Sequence, residues 1–196
     1  MSDQNQQSDP HVVHLNGVRL SFPQLFKAKA GKGPNGEPQG EPTFSAVFIM
    51  DKVKNKADID RLTKIALATK AEKWPGKAVN LTGKSIRDGT EKEATDGYGP
   101  GIVFISARNA KRPGVVHRDL TPLVETDGKP YAGCYVNATV RCWAQDNAYG
   151  KRINWALRNV QFVKDGEPFG EKPTPADQEF QALPDEGGNV DGNSAI

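Results

Sequence analysis

YAGCYVNATVRCWAQDNAYGKRINWALRNVQFVKDGEPFG, residues 131–170, is the stretch from which the fold of this chain is predicted. Its first part alternates strictly between small apolar residues and larger polar or aromatic ones. A period of two predicts a β-strand with two unlike faces. The apolar face should turn to the core and consists of Cys134, Val136, Ala138, Val140, Cys142 and Ala144. A turn at Asp146–Arg152 and a second β-like run at Ile153–Lys164 complete a long hairpin.

The opposite face of this hairpin carries aromatic rings, cations and hydrogen-bonding groups. Single-stranded nucleic acid exposes bases that stack on aromatic rings and a backbone that Lys and Arg neutralise. We therefore predict contacts to single-stranded DNA at Tyr135, Asn137, Arg141, Trp143, Tyr149, Lys151, Arg152, Trp155 and Arg158. The alternative is that Trp143 and Trp155 form a second core layer beneath a helix, and Trp155 does share the parity of Ile153 and Leu157.

A further strand is predicted at Gly101–Arg108, and it runs into the basic turn Asn109–Gly114. These residues should extend the positive groove of the hairpin. The predicted contacts here are Phe104, Arg108, Lys111 and Arg112, with His117 and Arg118 following in the same cluster. An ordinary basic surface loop is the alternative interpretation.

Two more strands are predicted, Val12–Phe22 and the apolar run Thr43–Met50. In the first, the apolar parity changes around Asn16–Gly17, which indicates a bulge. A similar change near Arg158–Asn159 predicts a second bulge in the last strand. Bulged, bent antiparallel strands close small sheets into barrels. The sequence is therefore mainly β, and its five substantial strands fit a five-stranded barrel of the oligonucleotide-binding (OB) type.

One α-helix is predicted, from Asn55 to Lys73, because apolar residues recur at helical spacing after Asn55 and Pro75 ends the pattern. Its position after the second strand differs from a typical OB barrel, where a helix lies between the third and fourth strands. The Gly/Pro/Lys-rich residues 27–42 are predicted to form a long loop, and residues 76–100 a mobile one.

The charge of the 196-residue chain is unevenly distributed. Residues 1–170 hold 25 Lys and Arg against 18 Asp and Glu, a net charge of +7. Residues 171–196 hold one Lys against six acids, a net charge of −5. We therefore predict three parts: a disordered N-terminus (1–11), an OB-fold domain (12–170) and a flexible acidic tail (171–196). The tail could be a passive solubilising segment, compete with DNA, or dock a protein through Asp177, Glu179, Asp185, Glu186 and Asp191.

Other functional classes find little support in the sequence. We find no nucleophile–base pair, carboxylate set or metal-ligand spacing, and expect a non-enzymatic protein without cofactor or metal. No apolar run approaches the length of a membrane span. Cys134 and Cys142 lie eight residues apart on one predicted strand, too far apart to form a disulfide. We interpret them as reduced core thiols of a cytoplasmic protein.

The sequence resembles a family of phage single-stranded DNA-binding proteins in the hairpin 131–170, in Leu15–Phe22 and in Ala46–Phe48. This family was formerly catalogued as a phage domain of unknown function, and one of its members is an Enterobacter phage protein. The resemblance spans about residues 12–170. It implies an OB barrel, sequence-independent binding of single-stranded DNA, and a role in phage DNA replication or recombination in the host cytoplasm.

Related phage proteins commonly dock phage or host replication proteins through an acidic C-terminus. The tail here lacks the terminal aromatic residue common in such tails, since it ends Asn193-Ser194-Ala195-Ile196. The sequence leaves open whether the protein acts as a monomer or a homodimer. Two other functions stay open as well: a β-rich structural or interaction protein of a virion, and a nucleic-acid-processing enzyme.

Overall fold

A computed structural model of the protein describes residues 9–170. Within this range it contains one α-helix, α1, and seven β-strands. The strands are β1 (Val12–Lys32), β2 (Pro38–Asp51), β3 (Arg87–Asp88), β4 (Ile102–Asn109), β5 (Gly114–Val116), β6 (Tyr135–Asn147) and β7 (Gly150–Lys164). Helix α1 (Lys56–Lys73) lies between β2 and β3. No helix in the described range is long and apolar enough to cross a membrane.

Five of the strands form a closed barrel. Strand β1 pairs antiparallel with β2 and β6, β2 pairs with β4, and β6 pairs with β7. A parallel pairing between β4 and β7, at Ala107 and Trp155, closes the barrel. This is the five-stranded OB-type barrel that the sequence predicts.

Both predicted bulges are present. In the β1–β6 ladder, Leu15 pairs with Ala138 and Val18 with Val136, so Asn16 and Gly17 together face one residue. Gly17 has φ +58°, a conformation in which glycine avoids the strain of a side chain. In the β6–β7 ladder, Arg158 is the extra residue. Such bulges bend the strands and thereby help a sheet of only five strands to close.

The helix packs across β1 and β6 and adds to the barrel core, with Leu62 fully buried. It follows the second strand, as predicted. The helix begins as predicted, with Asn55 at the N-cap position, although the Asn55 side chain forms no capping hydrogen bond. Asp58 is instead buried against β1 and accepts a hydrogen bond from the Asn16 backbone N–H at 3.0 Å. The carboxylate thus joins the helix to the first bulge.

The long loop predicted at 27–42 is wrong for most of its length. Strand β1 continues to Lys32 and β2 begins at Pro38, so the two form a hairpin arm with only a short turn between them. The arm has no apolar alternation because most of its side chains are exposed. Residues 76–100 contain β3, which pairs with β4, and a 3-10 turn at Gly89–Lys92.

Candidate nucleic-acid interface

An open groove of about 600 Å³ lies on the outside of the barrel, across β4, β7 and β6. Residues 82–91 form one of its walls. Four predicted contact residues border the groove: Arg108, Trp143, Arg152 and the almost fully buried Trp155. They come from three strands, so only barrel closure brings them to one site.

Trp143 supplies the aromatic surface of the groove. Its side chain is 38% exposed, whereas Trp74 is 6% and Trp155 2% exposed. Trp143 and Asn154 pair across the β6–β7 ladder, and both line the groove. An exposed indole beside hydrogen-bonding groups can stack on a base while polar neighbours contact the backbone.

The charge of the groove is positive. Lys84, Arg87, Arg108 and Arg152 line it, against one acid, Glu91. Glu91 pairs with Arg87 at 2.7 Å, and this hydrogen bond lowers the pKa of the carboxyl. In the part of the chain that the structure describes, Lys84, Arg108 and Arg152 form no ion pair. Their charges are therefore available to phosphate groups.

Two of the predicted aromatic contacts are buried in the structure. Trp155 is 2% exposed in the main core, and its Nε1 donates to the Ser85 carbonyl oxygen at 3.0 Å. Phe104 is fully buried on the outer side of the barrel, in a second apolar cluster with Val47 and Ile49. Tyr98 packs edge-on against it, with ring centroids 5.1 Å apart. Neither ring has a free face for a base.

Two further predicted contacts, Tyr135 and Asn137, lie outside the groove, toward the other end of β6. The Tyr135 ring lies 4.7 Å from Lys164 Nζ. Asn137 donates to Gln161 at 2.9 Å and accepts from the Gly17 backbone N–H at 3.0 Å, in a separate hollow of about 290 Å³. Asn137 thus stabilises the first bulge through its amide oxygen.

Arg141 shares the face of Trp143 but is engaged by the N-terminal segment. Its Nε donates to Asp9 Oδ2 at 2.6 Å, and this bond is the main reason why the pKa of Asp9 is lowered. Arg141 lines a third hollow, beside His11 and Glu72. The charge of Arg141 is therefore already balanced within the protein.

The tip of the β6–β7 hairpin stands next to the groove. Tyr149 is 81% exposed there. Lys151 Nζ lies 4.0 Å from Asp146 and 5.8 Å from the Trp74 ring, while the Lys151 carbonyl accepts from the Thr82 backbone N–H at 2.8 Å. The last bond attaches the groove wall to β7.

Arg108, near the end of β4, lines the groove, whereas the basic turn that follows it does not. Arg112 lies beside the hairpin arm, with its Cζ 5.8 Å from the Phe26 ring. His117 stacks on Phe162 at 5.6 Å. The remaining predicted cations, Lys111, Arg118 and Arg158, do not line the groove.

Sequence reasoning missed Lys84 and Arg87, which lie in the segment predicted to be mobile. Arg87 pairs with Phe104 in the β3–β4 ladder, and its guanidinium lies 4.8 Å from the Phe104 ring. A two-residue strand has no periodicity that a sequence pattern could show, so no local signal places these cations at the groove.

A closed five-stranded barrel with an exposed tryptophan beside a basic groove defines an oligonucleotide-binding type of protein. The chain belongs to the family described as Enterobacter phage Enc34, ssDNA-binding protein, whose model matches residues 11–190.

The chain is 38% identical over 183 residues to "Putative protein p50" of Acyrthosiphon pisum secondary endosymbiont phage 1. The aligned region covers 87% of this chain and 93% of that protein. Among solved structures, the chain is similar to the single-stranded DNA-binding protein of bacteriophage Enc34 in complex with ssDNA. The two chains are 32% identical with a TM-score of 0.69, and the alignment covers 82% of this chain and 90% of the Enc34 chain. The C-terminally truncated form of the Enc34 protein gives 30% identity and a TM-score of 0.68, covering 81% and 88%.

Proposed function

We propose that this protein binds single-stranded DNA without sequence preference and has no catalytic activity. The observation that carries the proposal is the exposed Trp143 ring in a groove where Lys84, Arg108 and Arg152 have no acidic partner among residues 9–170. Membership of a family described by ssDNA binding supports it.

In the proposed mechanism, one base stacks on Trp143 while the groove cations neutralise phosphates. Tyr149 at the hairpin tip offers a second exposed ring for a neighbouring base. Stacking and phosphate contacts read no base edges, so they bind any sequence. A duplex binds less well because its bases are already stacked and paired, and only the phosphate contacts remain.

The biological role that we propose is to coat exposed strands during phage DNA replication or recombination, in the cytoplasm of the infected host. The acidic tail is proposed to dock phage or host replication proteins through Asp177, Glu179, Asp185, Glu186 and Asp191, which lie outside the described residues. The net charge of −5 of this tail supports an electrostatic contact. Self-association as a homodimer is tested by measuring the mass of the free protein in solution.

Tryptophan fluorescence during titration with a short oligo-dT tests the proposal. Trp74 and Trp155 are buried, so quenching by a stacked base should report Trp143. We expect quenching by oligo-dT, weaker binding of a duplex of equal charge, and a log–log salt slope of about −0.7 per phosphate contact. A Trp143→Phe variant is the matched control and should bind with most of the quenching lost.

Two outcomes would favour other functions. If neither DNA binds at low salt, the basic face is only a solvated surface, and a virion or interaction protein becomes the better explanation. If the oligonucleotide is cut in the presence of a divalent metal, the protein is a nuclease and the non-enzymatic part of the proposal is wrong.

A further inference from the structure

Phe22 is an exposed aromatic residue with an unusual backbone conformation. Its side chain is 52% exposed, and its φ of +45° lies in the left-handed region that a bulky residue rarely adopts. Such strain persists only where the surrounding structure imposes it, and it concentrates at functional sites. Among the described residues, Leu120 is the only other non-glycine residue with a positive φ.

A second irregularity of β1 imposes this conformation. Ser21 pairs with Val47 and Gln24 with Ser45, so Phe22 and Pro23 together face one residue of β2. Phe22 has the same parity as Val18 and Leu20, which are fully buried. Without the shift in register its ring would also point to the core. The irregularity turns the ring to solvent.

A cation lies against the Phe22 ring. Lys92 Nζ is 4.9 Å from the centroid of Phe22, 5.5 Å from Tyr98 and 5.6 Å from Phe104. Lys92 forms no ion pair with any residue between 9 and 170. The three rings hold the ammonium group on the outer face of the barrel. There it can reach a phosphate that accompanies a base on Phe22.

The basic groove and the Phe22 site are both next to the Phe104 ring. Arg87, which lines the groove, and Lys92 both lie over the Phe104 ring, at 4.8 and 5.6 Å. Phe104 is therefore a buried support for two cations, one at each site.

The barrel ladders place Phe22 and Trp143 at opposite ends of one path. From Ser21, which precedes Phe22 in β1, the path crosses Val47 of β2 and Ser106 of β4. It continues to Asn154 of β7, next to the Ala107–Trp155 pair, and reaches Trp143 of β6. Four strand-to-strand steps of about 4.8 Å make this path roughly 19 Å long on the barrel surface. Its course is perpendicular to the strands. Serine, arginine and asparagine side chains border it, with a ring at each end.

We propose that Phe22 is a second base-stacking residue and that Lys92 is its phosphate contact, at the opposite end of the path from Trp143. The inference rests on the proposed function, since it assigns a further contact for the same single strand. A strand bound at both rings would cross β2, β4 and β7.

Affinity for a short oligo-dT that holds one protein tests the inference. We expect Phe22→Ala to weaken binding about 5- to 150-fold, as the loss of one stacked base does, and Phe22→Tyr to bind nearly as the wild type. Phe22→Leu keeps an apolar side chain without a ring and should resemble Phe22→Ala. Leu67→Ala, which alters an exposed apolar residue of α1, is the control and should change nothing.

Lys92 and the base contact have separate tests. Lys92→Ala should reduce the magnitude of the log–log salt slope by about 0.7, the value for one phosphate contact with a single strand. Photocrosslinking the wild-type protein to oligo-dT substituted with 5-iodouracil should label the peptide that contains Phe22, as well as the one that contains Trp143. This measurement needs no variant to fold.

Three outcomes would overturn the inference. If Trp143→Ala weakens binding while Phe22→Ala does not, and no Phe22 peptide is labelled, Phe22 is not a contact and the proposed function stands. If Phe22→Ala affects only long oligonucleotides that hold several proteins, the ring contacts a neighbouring copy. If wild-type protein fails to bind at low salt, the proposed function and this inference both fail.

Discussion

The indole Nε1 of Trp155 donates a hydrogen bond to the backbone carbonyl of Ser85 at 3.0 Å. This bond connects the barrel core to the segment that forms the groove wall. Trp155 therefore acts on the groove by positioning residues 82–91.

Trp155→Phe should lower the free energy of unfolding by about 1–3 kcal/mol, because it leaves the Ser85 carbonyl without its donor and reduces core volume. Urea denaturation measures this. DNA affinity should fall much less than in Trp143→Ala. Unchanged stability together with a large loss of affinity would mean that Trp155 contacts DNA.

Trp143→Ala should weaken binding of single-stranded DNA by about 1–3 kcal/mol, the loss expected for one stacked base. Fluorescence anisotropy of a labelled oligo-dT measures it, and thermal unfolding shows whether the variant is folded. A folded variant with wild-type affinity would remove Trp143 from the site.

Two arginines on the outer surface provide a matched pair. Arg108 lines the groove without an ion pair among the described residues, whereas Arg141 is bonded to Asp9 at 2.6 Å. Arg108→Ala should therefore reduce the magnitude of the log–log salt slope by about 0.7, and Arg141→Ala by much less. Equal effects would show that Asp9 releases Arg141 when DNA binds.

The sequence predicts the barrel well because its evidence is local and periodic. The sequence alternates from Cys134, just before β6, to Cys142 within it, and the structure buries every second side chain as that pattern requires. Parity changes in β1 and β7 predict the bulges correctly, since a bulge moves apolar residues to the other parity. Burial of Trp155 is also visible in its parity with Ile153 and Leu157, which favours the core interpretation.

The site is predicted less well because it depends on contacts between distant parts of the chain. Phe104 is on the outer face of β4 and would be exposed in an isolated strand. Tyr98, Ile102 and Phe169 cover it, and no pattern around Phe104 indicates this. Arg141 is neutralised by Asp9, which is 132 residues away. The parity of Phe22 in the sequence indicates a core residue. The shift in register that exposes its ring is visible only in the pairing of β1 with β2.

The Asp88 carboxylate should stabilise the fold at neutral pH and contribute less at acidic pH. The carboxylate accepts from Lys52 Nζ at 2.7 Å and from the Thr90 backbone N–H at 3.1 Å, and the Lys52 bond is the main reason why the pKa of Asp88 is strongly lowered. A lowered pKa in the folded state stabilises the fold above the unfolded value of about 3.9, and this stabilisation is lost as pH falls.

Asp88→Asn should therefore lower the Tm at neutral pH, and its difference from the wild type should shrink as the pH falls below about 4. Thermal unfolding followed by circular dichroism at constant ionic strength measures this difference. A difference that stays constant from neutral pH to pH 3 would show that the charge of Asp88 does not contribute.

Phe169, two residues before the acidic tail, is packed on the barrel surface. Its ring lies 4.3 Å from Arg19 Cζ, and the next residue, Gly170, donates its backbone N–H to Asp96 at 2.8 Å. Phe169 also packs on the cluster that contains Phe104, and the cations Arg87 and Lys92 lie over the Phe104 ring. The described chain thus ends on the barrel surface that bears the proposed DNA path.

Deleting residues 171–196 removes a net charge of −5 and should tighten binding of oligo-dT at low salt. At about 0.01 M salt the Debye length is about 30 Å, so the tail charge acts over the whole barrel face, whereas at 0.1 M it is about 10 Å and the effect should shrink. A full-length variant with all six tail acids replaced by amides is the control and should behave like the deletion. If neither variant changes the affinity, the tail does not compete with DNA, and docking of a protein partner becomes the better explanation for its charge.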